Sequence, residues 1–100
     1  MTSLQGYVVA TYDEIVAVLG EPDYKSPGPD AEYWSEDKVE TEWEWVDEDY
    51  GKITIYDWKQ YDGGRTSRSG MPYRWHIGGS NYHAVDVVMN RLDTIARRVS

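Results

Sequence analysis

Residues 38–58 read KVETEWEWVDEDYGKITIYDW, and the alternation within this stretch decides the fold. Between 38 and 47, apolar or aromatic side chains alternate with acidic ones at 40, 42 and 44. A period of two residues is typical of a strand with one buried and one wet face. Turn-forming residues follow at 48–51, and the alternation then resumes over 52–58. The stretch therefore predicts a β-hairpin with strands at 38–47 and 52–58.

A third strand and two helices are predicted around this hairpin. Residues 73–77 (YRWHI) alternate in the same way. A capping-box pattern at Thr11 and Glu14 predicts a helix over 12–19, and apolar residues at 3.6-residue spacing predict another over 81–98. We expect an α+β fold in the order α-β-β-β-α, with a three-stranded antiparallel sheet and two helices packed on one face.

Two segments outside these elements are less regular. The run 7–10 (YVVA) is either an edge strand or the approach to the first helix. Residues 21–36 hold three prolines and no period, so they are expected to form a loop. No repeat or linker divides the chain, and residues 1–100 are predicted to form a single domain.

The charge of the chain is unevenly distributed. Its 100 residues carry a net charge of −8, with −12 over residues 1–50 and +4 over residues 51–100. Ten acidic residues lie between 30 and 49, opposed there by Lys38 alone. Such a local field repels DNA phosphates and anionic lipids. Direct nucleic-acid binding and membrane binding are therefore not expected.

The composition also restricts location and cofactors. There is no cysteine, so disulfides and thiolate metal sites are excluded, and a reducing cytoplasm is predicted. No stretch reads as a signal peptide or a membrane span. The only two histidines, His76 and His83, do not match a metal-ligand spacing. We expect no metal and no cofactor.

The wet face of the sheet and the surplus of aromatic residues form the main candidate site. Five Trp and nine Tyr exceed what a core of this size needs, and these residue types dominate protein interfaces. The predicted partner-binding residues combine acidic and aromatic side chains: Glu40, Glu42, Glu44, Tyr56, Trp58 and Trp34.

Other interpretations of the same residues remain. Carboxylates beside Arg74 and His76 would suit general acid–base chemistry, but cross-strand ion pairs on a solvated face explain them as well. The surplus aromatic residues could instead cover a thin core. Because no nucleophile lies beside a base, no catalytic activity is expected.

An alternative site is an anion or nucleotide site at the expected turn before the last helix. Free N–H groups at a helix start attract anions, and nearby arginines could close over such a ligand. The residues concerned are Gly78, Gly79, Ser80, Arg65, Arg68 and Arg74. A tight turn with the serine as helix N-cap explains the glycines and the serine equally.

Four segments carry a resemblance to a known group of proteins: TYDEIVAVLGEPDY, KVETEWEW, GKITIYDWK and WHIGGSNYHAVDVV. They resemble small uncharacterised accessory proteins encoded by tailed bacteriophages, over roughly residues 11–99. The most specific segments are ITIYDWK (53–59) and WHIGG (75–79). The resemblance implies a phage protein that acts in the cytoplasm of an infected bacterium, and it implies no catalytic residue.

Charge and resemblance together predict a function. We expect a non-catalytic protein that binds a host protein with a basic surface, for host takeover or evasion of defence. DNA mimicry is one form of this idea, because alternate residues of a strand lie about 6.7 Å apart, close to the phosphate spacing of a nucleic-acid strand.

Overall fold

The computed structural model describes residues 2–26, 38–62, 64–92 and 97–99. Its elements in chain order are β1 (Ser3–Ala10), α1 (Tyr12–Leu19), β2 (Tyr24–Lys25), β3 (Thr41–Asp47), β4 (Gly51–Tyr56), β5 (Tyr73–Gly79), α2 (His83–Arg91) and β6 (Arg97–Val99). A strand therefore precedes the first helix, and the chain returns to strand structure after the second helix.

The described strands form one antiparallel sheet in the order β2-β3-β4-β5-β1-β6. The prediction of a three-stranded sheet is wrong. The three predicted strands lie at its centre as β3, β4 and β5, but β1 pairs with β5 from Ser3 to Ala10. Without β1, the edge of β5 would present a row of unpaired backbone N–H and C=O groups. β1, the longest strand absent from the predicted sheet, therefore covers this edge.

The run 7–10, for which the sequence left two interpretations, lies in an interior strand. Val8 and Ala10 are buried, and Tyr7 lies on the opposite face, directly across from His76. β6 pairs with the other side of β1 at residues 7–9. This position between two neighbours explains why the run is apolar and contains two adjacent valines.

The predicted hairpin is confirmed. Trp43 pairs with Ile55 and Trp45 pairs with Ile53 across β3 and β4. The turn that joins the strands is closed by the Asp47 carboxylate, which accepts hydrogen bonds from the two following backbone N–H groups at residues 49 and 50, at 3.0 and 3.1 Å. An aspartate in this position favours a turn because its side chain replaces a backbone acceptor.

α1 begins and ends where the sequence predicts. The Thr11 hydroxyl accepts from the Glu14 N–H at 3.1 Å, and the Glu14 carboxylate accepts from the Thr11 N–H at 2.8 Å. This reciprocal pair is the capping box.

α2 is shorter than the predicted helix over 81–98. It covers nine residues, and residues 97–99 belong to β6. The prediction failed because apolar spacing does not distinguish the end of a helix from a short strand that pairs with the free edge of β1.

One face of the sheet holds the core, and both helices pack on it. The two tryptophans Trp43 and Trp75 meet edge to face with ring centroids 5.2 Å apart. Their indole N–H groups donate to the backbone carbonyls of Gly20 and Ala10, at 2.9 and 3.0 Å. The buried apolar residues are Val8, Ala10, Ile15, Trp43, Ile53, Ile55, Trp75, Ile77, Ala84, Val88 and Leu92.

Neither helix lies on the other face of the sheet, which we call the outer face. It presents the alternate residues of β1, β3, β4 and β5, and it is where the polar and aromatic side chains of the hairpin lie. The described helices have eight and nine residues, and neither is long and apolar enough to span a bilayer, which takes about 20 residues.

Candidate binding site

Four rings cluster on the outer face: Tyr7, Tyr56, Trp58 and His76. The His76 centroid lies 4.9 Å from that of Tyr7, 5.3 Å from that of Tyr56 and 6.2 Å from that of Trp58. The Tyr56 and Trp58 rings are 6.0 Å apart at a steep angle. These separations lie in the range at which aromatic pairs attract each other. We call this group the aromatic cluster.

The strand register explains the aromatic cluster. His76 on β5 pairs directly with Tyr7 on β1 and with Tyr56 on β4. Directly opposed residues of antiparallel strands have side chains on the same face, about 5 Å apart. Trp58 lies beyond the end of β4, and its ring contacts with Tyr56 and His76 place it on the same face.

Cationic side chains lie around the aromatic cluster. The Arg74 guanidinium lies over the Tyr7 ring at 4.4 Å from its centroid. The ammonium groups of Lys38 and Lys59 lie 5.9 and 5.7 Å from the Trp58 centroid. Ring faces attract cations through their quadrupole, so the faces of this cluster are suited to positive groups.

Next to the cluster is a pocket of about 170 Å³, which we call the outer pocket. Gly78 leaves room for it: a Cβ at this position would collide with Oγ1 of Thr54 and lie 3.3 Å from Cε1 of Tyr56. The residues that line it are Thr2, Ser3, Val39, Glu42, Thr54, Tyr56, Trp58 and Gly78.

Glu42 supplies the charged group of the outer pocket. It is half-buried and pairs across the strands with Tyr56. Among the described residues, its carboxylate makes no hydrogen bond or ion pair; Lys52 pairs instead with Glu44, at 3.3 Å. Burial, and then the neighbouring charge of Glu44, raise the pKa of Glu42 above its usual value. Lys52 is the described cation that opposes this rise, although its ammonium group pairs with Glu44. The pocket therefore contains a carboxylate that forms no ion pair of its own among the described residues.

His76 lies at the centre of the aromatic cluster and is partly buried. Its Nδ1 atom is buried and has no hydrogen-bond partner among the described residues. Burial, and then the positive charge of Arg74, lower the pKa of His76 below its usual value, while Asp57 opposes this change. The neutral ring is therefore favoured in the folded protein.

Glu40 does not lie on the outer face with the other two glutamates, and this part of the prediction is wrong. Its side chain is fully buried, and its Oε1 accepts from the backbone N–H of Asp62 at 3.1 Å. The residue precedes β3, so the two-residue alternation does not continue to it. Glu40 fixes the loop that follows β4 and is not accessible to a partner.

Arg68 belongs to the same buried region. Its guanidinium donates to the backbone carbonyls of Glu40 and Ser26, at 3.2 and 3.3 Å, and to the hydroxyls of Thr41 and Ser26, both at 3.3 Å. It is therefore held beside the start of β3 and connects the 64–68 loop to the sheet.

The residues of the predicted anion site are not brought together. Gly78 and Gly79 end β5 and lie in the sheet, level with Thr54 and distant from the start of β3 where Arg68 is held. Arg74 lies four residues earlier on β5, about 13 Å away at the usual rise of a strand. Arg65 lies exposed in the 64–68 loop.

The predicted N-cap of the last helix is also different. Tyr82 occupies the N-cap position without a side-chain hydrogen bond, and Ser80 precedes it by two residues. The Asn81 carboxamide oxygen accepts from the backbone N–H of His83 at 2.9 Å, which takes the place of the expected serine cap.

Of the remaining predicted site residues, Tyr56, Trp58, Glu42 and Glu44 lie on the outer face, while Trp34 lies outside the described residues. Tyr7 and Thr54 were not among the predicted site residues, and Gly78 was predicted only for the alternative anion site. The alternation of Tyr7 with Val8 was the sequence signal that Tyr7 faces outward. A pocket above Gly78 could not be predicted, because it depends on which residues of the neighbouring strands lie opposite each other.

A second, more open hollow of about 350 Å³ lies between the hairpin turn and α2. Its polar groups already have other contacts: Asp47 closes the turn, and the Arg91 guanidinium lies over the Trp45 ring at 5.1 Å. The residues that line it are Asp47, Asp49, Tyr50, Val87, Asn90 and Arg91.

Comparisons with known proteins add no assignment: no protein family, curated protein or solved structure matches this chain. Within the described ranges, no three acidic or histidine side chains are close enough to one another to hold a metal ion. The site combines an aromatic cluster that has cationic neighbours with an adjacent pocket that holds the Glu42 carboxylate.

Proposed function

We propose that this protein is a non-catalytic binding protein that docks a basic surface of a partner protein on its outer face. The observation that carries the proposal is the combination of the aromatic cluster with the half-buried carboxylate of Glu42, which forms no ion pair among the described residues. Aromatic side chains supply large contact area at low entropic cost, and the negative group selects positive partners.

Several described carboxylates already have contacts within the protein, and this limits which of them can contact a partner. Glu40 is buried, Glu44 pairs with Lys52, and Asp47 closes the hairpin turn. Glu42 is thus the described outer-face carboxylate that is available to a partner, and the aromatic cluster next to it provides the apolar area. DNA mimicry by a row of regularly spaced carboxylates stays a prediction.

The resemblance to phage proteins supports a partner in the infected host. In this proposal the protein acts during host takeover or evasion of defence, and its excess negative charge attracts the partner over a distance. Such attraction depends on ionic strength, because the screening length falls from about 10 Å at 0.1 M salt to about 3 Å at 1 M.

The proposal is tested by capture of partners from bacterial lysate with immobilised protein. We expect Tyr56→Ala with Trp58→Ala to abolish capture of the principal partner, and capture to decline steeply as salt rises to about 0.5 M. Tyr82→Ala is the matched control, because Tyr82 is 69% exposed and lies next to α2, away from the outer face. Equal capture by the double variant and the wild type would refute the proposal.

A further inference from the structure

The size of the outer pocket limits what can enter it. Its volume of about 170 Å³ is smaller than the roughly 300–1,000 Å³ of ordinary small-molecule sites. A nucleotide or a drug-sized metabolite exceeds this space, whereas one extended side chain of a docked protein fits it. The occupant is therefore expected to be a side chain or a group of similar size.

The chemistry of the lining selects the kind of side chain. Of the described residues that line it, Glu42 alone is charged, and Thr2, Ser3, Thr54 and Tyr56 carry hydroxyl groups. A half-buried carboxylate that forms no ion pair among the described residues is stabilised by a cation that brings its own donors. An anionic or purely apolar side chain would leave this carboxylate uncompensated.

The walls of the pocket favour a cation as well. Tyr56 and Trp58 form its aromatic side, and the face of an aromatic ring attracts a cation. Both a guanidinium and an ammonium group pair with a carboxylate and bind over aromatic rings, and the more compact ammonium group is the better match to a pocket of this size.

We infer that the outer pocket binds the ammonium group of a lysine side chain presented by the partner, with Glu42 as its counter-ion and Tyr56 and Trp58 against its methylene stem. This inference rests on the proposed function and names the anchor of that interaction. The ion pair between Glu42 and this lysine is the interaction that is lost when Glu42 is neutralised.

The experiment titrates the whole protein with n-butylammonium chloride at constant ionic strength, followed by ¹H–¹⁵N correlation NMR. The probe has five heavy atoms, so a dissociation constant on the order of 10 mM is expected from the usual affinity per atom. We expect saturable shifts at Glu42, Tyr56, Gly78 and the Trp58 indole N–H. n-Butanol is the neutral control, and n-butylguanidinium tests the alternative cation.

Two variants complete the test. Glu42→Gln keeps the size of the side chain and should reduce n-butylammonium affinity at least tenfold, whereas Glu44→Gln removes a neighbouring charge that Lys52 already balances and should change it less than threefold. The inference is overturned by equal shifts with n-butanol, by unchanged binding in Glu42→Gln, or by tighter binding of n-butylguanidinium.

The outcome is separable from that of the proposed function, because the probe needs no partner protein. Partner capture that depends on Tyr56 and Trp58, without n-butylammonium binding, rejects the lysine pocket and leaves the binding function in place. Saturable n-butylammonium binding without any partner capture supports the pocket and rejects the proposed function.

Discussion

The hydroxyl of Ser67 donates a hydrogen bond of 2.7 Å to Oδ2 of Asp57, although ten residues separate them and both side chains are fully buried. The other oxygen of this carboxylate accepts from the backbone N–H groups of Glu40 and Thr41, at 2.7 and 2.9 Å. One aspartate therefore joins the end of β4, the start of β3 and the loop before β5.

Replacement of Asp57 is the first prediction. Asp57→Ala leaves three buried donors without an acceptor, and at about 1–3 kcal/mol for each the free energy of unfolding should fall by about 3 kcal/mol or more. Asp57→Asn keeps an acceptor for the two N–H groups and should cost only about 1–2 kcal/mol. Urea unfolding followed by tryptophan fluorescence measures both. Equal losses for the two variants would contradict this role of the carboxylate.

The second prediction concerns the contact between α2 and the sheet. A Cβ on Gly6 would lie 2.7 Å from Cγ2 of Val85, so Gly6→Ala should destabilise the protein by about 1–3 kcal/mol through overpacking. Val85→Ala removes the opposing methyl group. In a double-mutant cycle, we expect the cost of Gly6→Ala to be smaller in the Val85→Ala background by at least about 0.5 kcal/mol. Additive costs would show that the helix position is not set by this contact.

The central elements of the fold were predictable because they depend on local patterns. The alternation over 38–47 and 52–58 predicted the hairpin, whose strands are shorter at 41–47 and 51–56, and the capping box at Thr11 and Glu14 predicted the first helix. A strand at 7–10 was only one of two interpretations, and β2 and β6 were not predicted, because whether a short segment such as 7–10 or 97–99 pairs depends on which sheet edge lies beside it. Backbone pairing of this kind leaves little trace in a single sequence.

The candidate site was predictable in part for the same reason. The outward positions of Glu42, Tyr56 and Trp58 follow from alternation, but alternation also assigned Glu40 to that face, where the chain bends into a buried loop network. The predicted anion site failed because Gly78 and Gly79 extend β5 and do not form a turn. The glycine pair therefore reflects close packing above and below a strand.

The third prediction is a dependence of stability on His76. Its pKa is lowered by burial and by Arg74, so the unfolded chain takes up a proton more readily than the folded protein. The contribution of His76 is therefore constant above its usual pKa of 6.5, and the free energy of unfolding falls as pH decreases through that value. His76→Gln should flatten this part of the profile between about pH 7 and pH 5.

The control for this measurement is His83→Gln, because the His83 ring belongs to α2 and stacks on Tyr50, with no contact to the aromatic cluster. Urea unfolding at a series of pH values gives the slope for each variant. If the slopes of wild type and His76→Gln agree, another group determines the acid sensitivity.

The last prediction is that neutralising Glu42 stabilises the folded protein while it weakens partner binding. Burial and the charge of Glu44 raise the pKa of Glu42 above 4.5, so the charged form is less favourable in the folded protein than in the unfolded chain. This residue therefore favours folding most at low pH, and that contribution is lost as pH rises from 4.5 through the folded pKa. Glu42→Gln should raise the free energy of unfolding at pH 7 and should give no gain well below pH 4.5.

Glu44→Gln, which breaks the ion pair with Lys52, should instead leave stability unchanged or lower it by up to about 1 kcal/mol. Urea unfolding at pH 7 and about pH 3.5, combined with partner capture, compares the two variants. We expect only Glu42→Gln to gain stability and lose partner capture, because its charge is retained for binding. A loss of stability at pH 7 in Glu42→Gln would show instead that the carboxylate has a structural role.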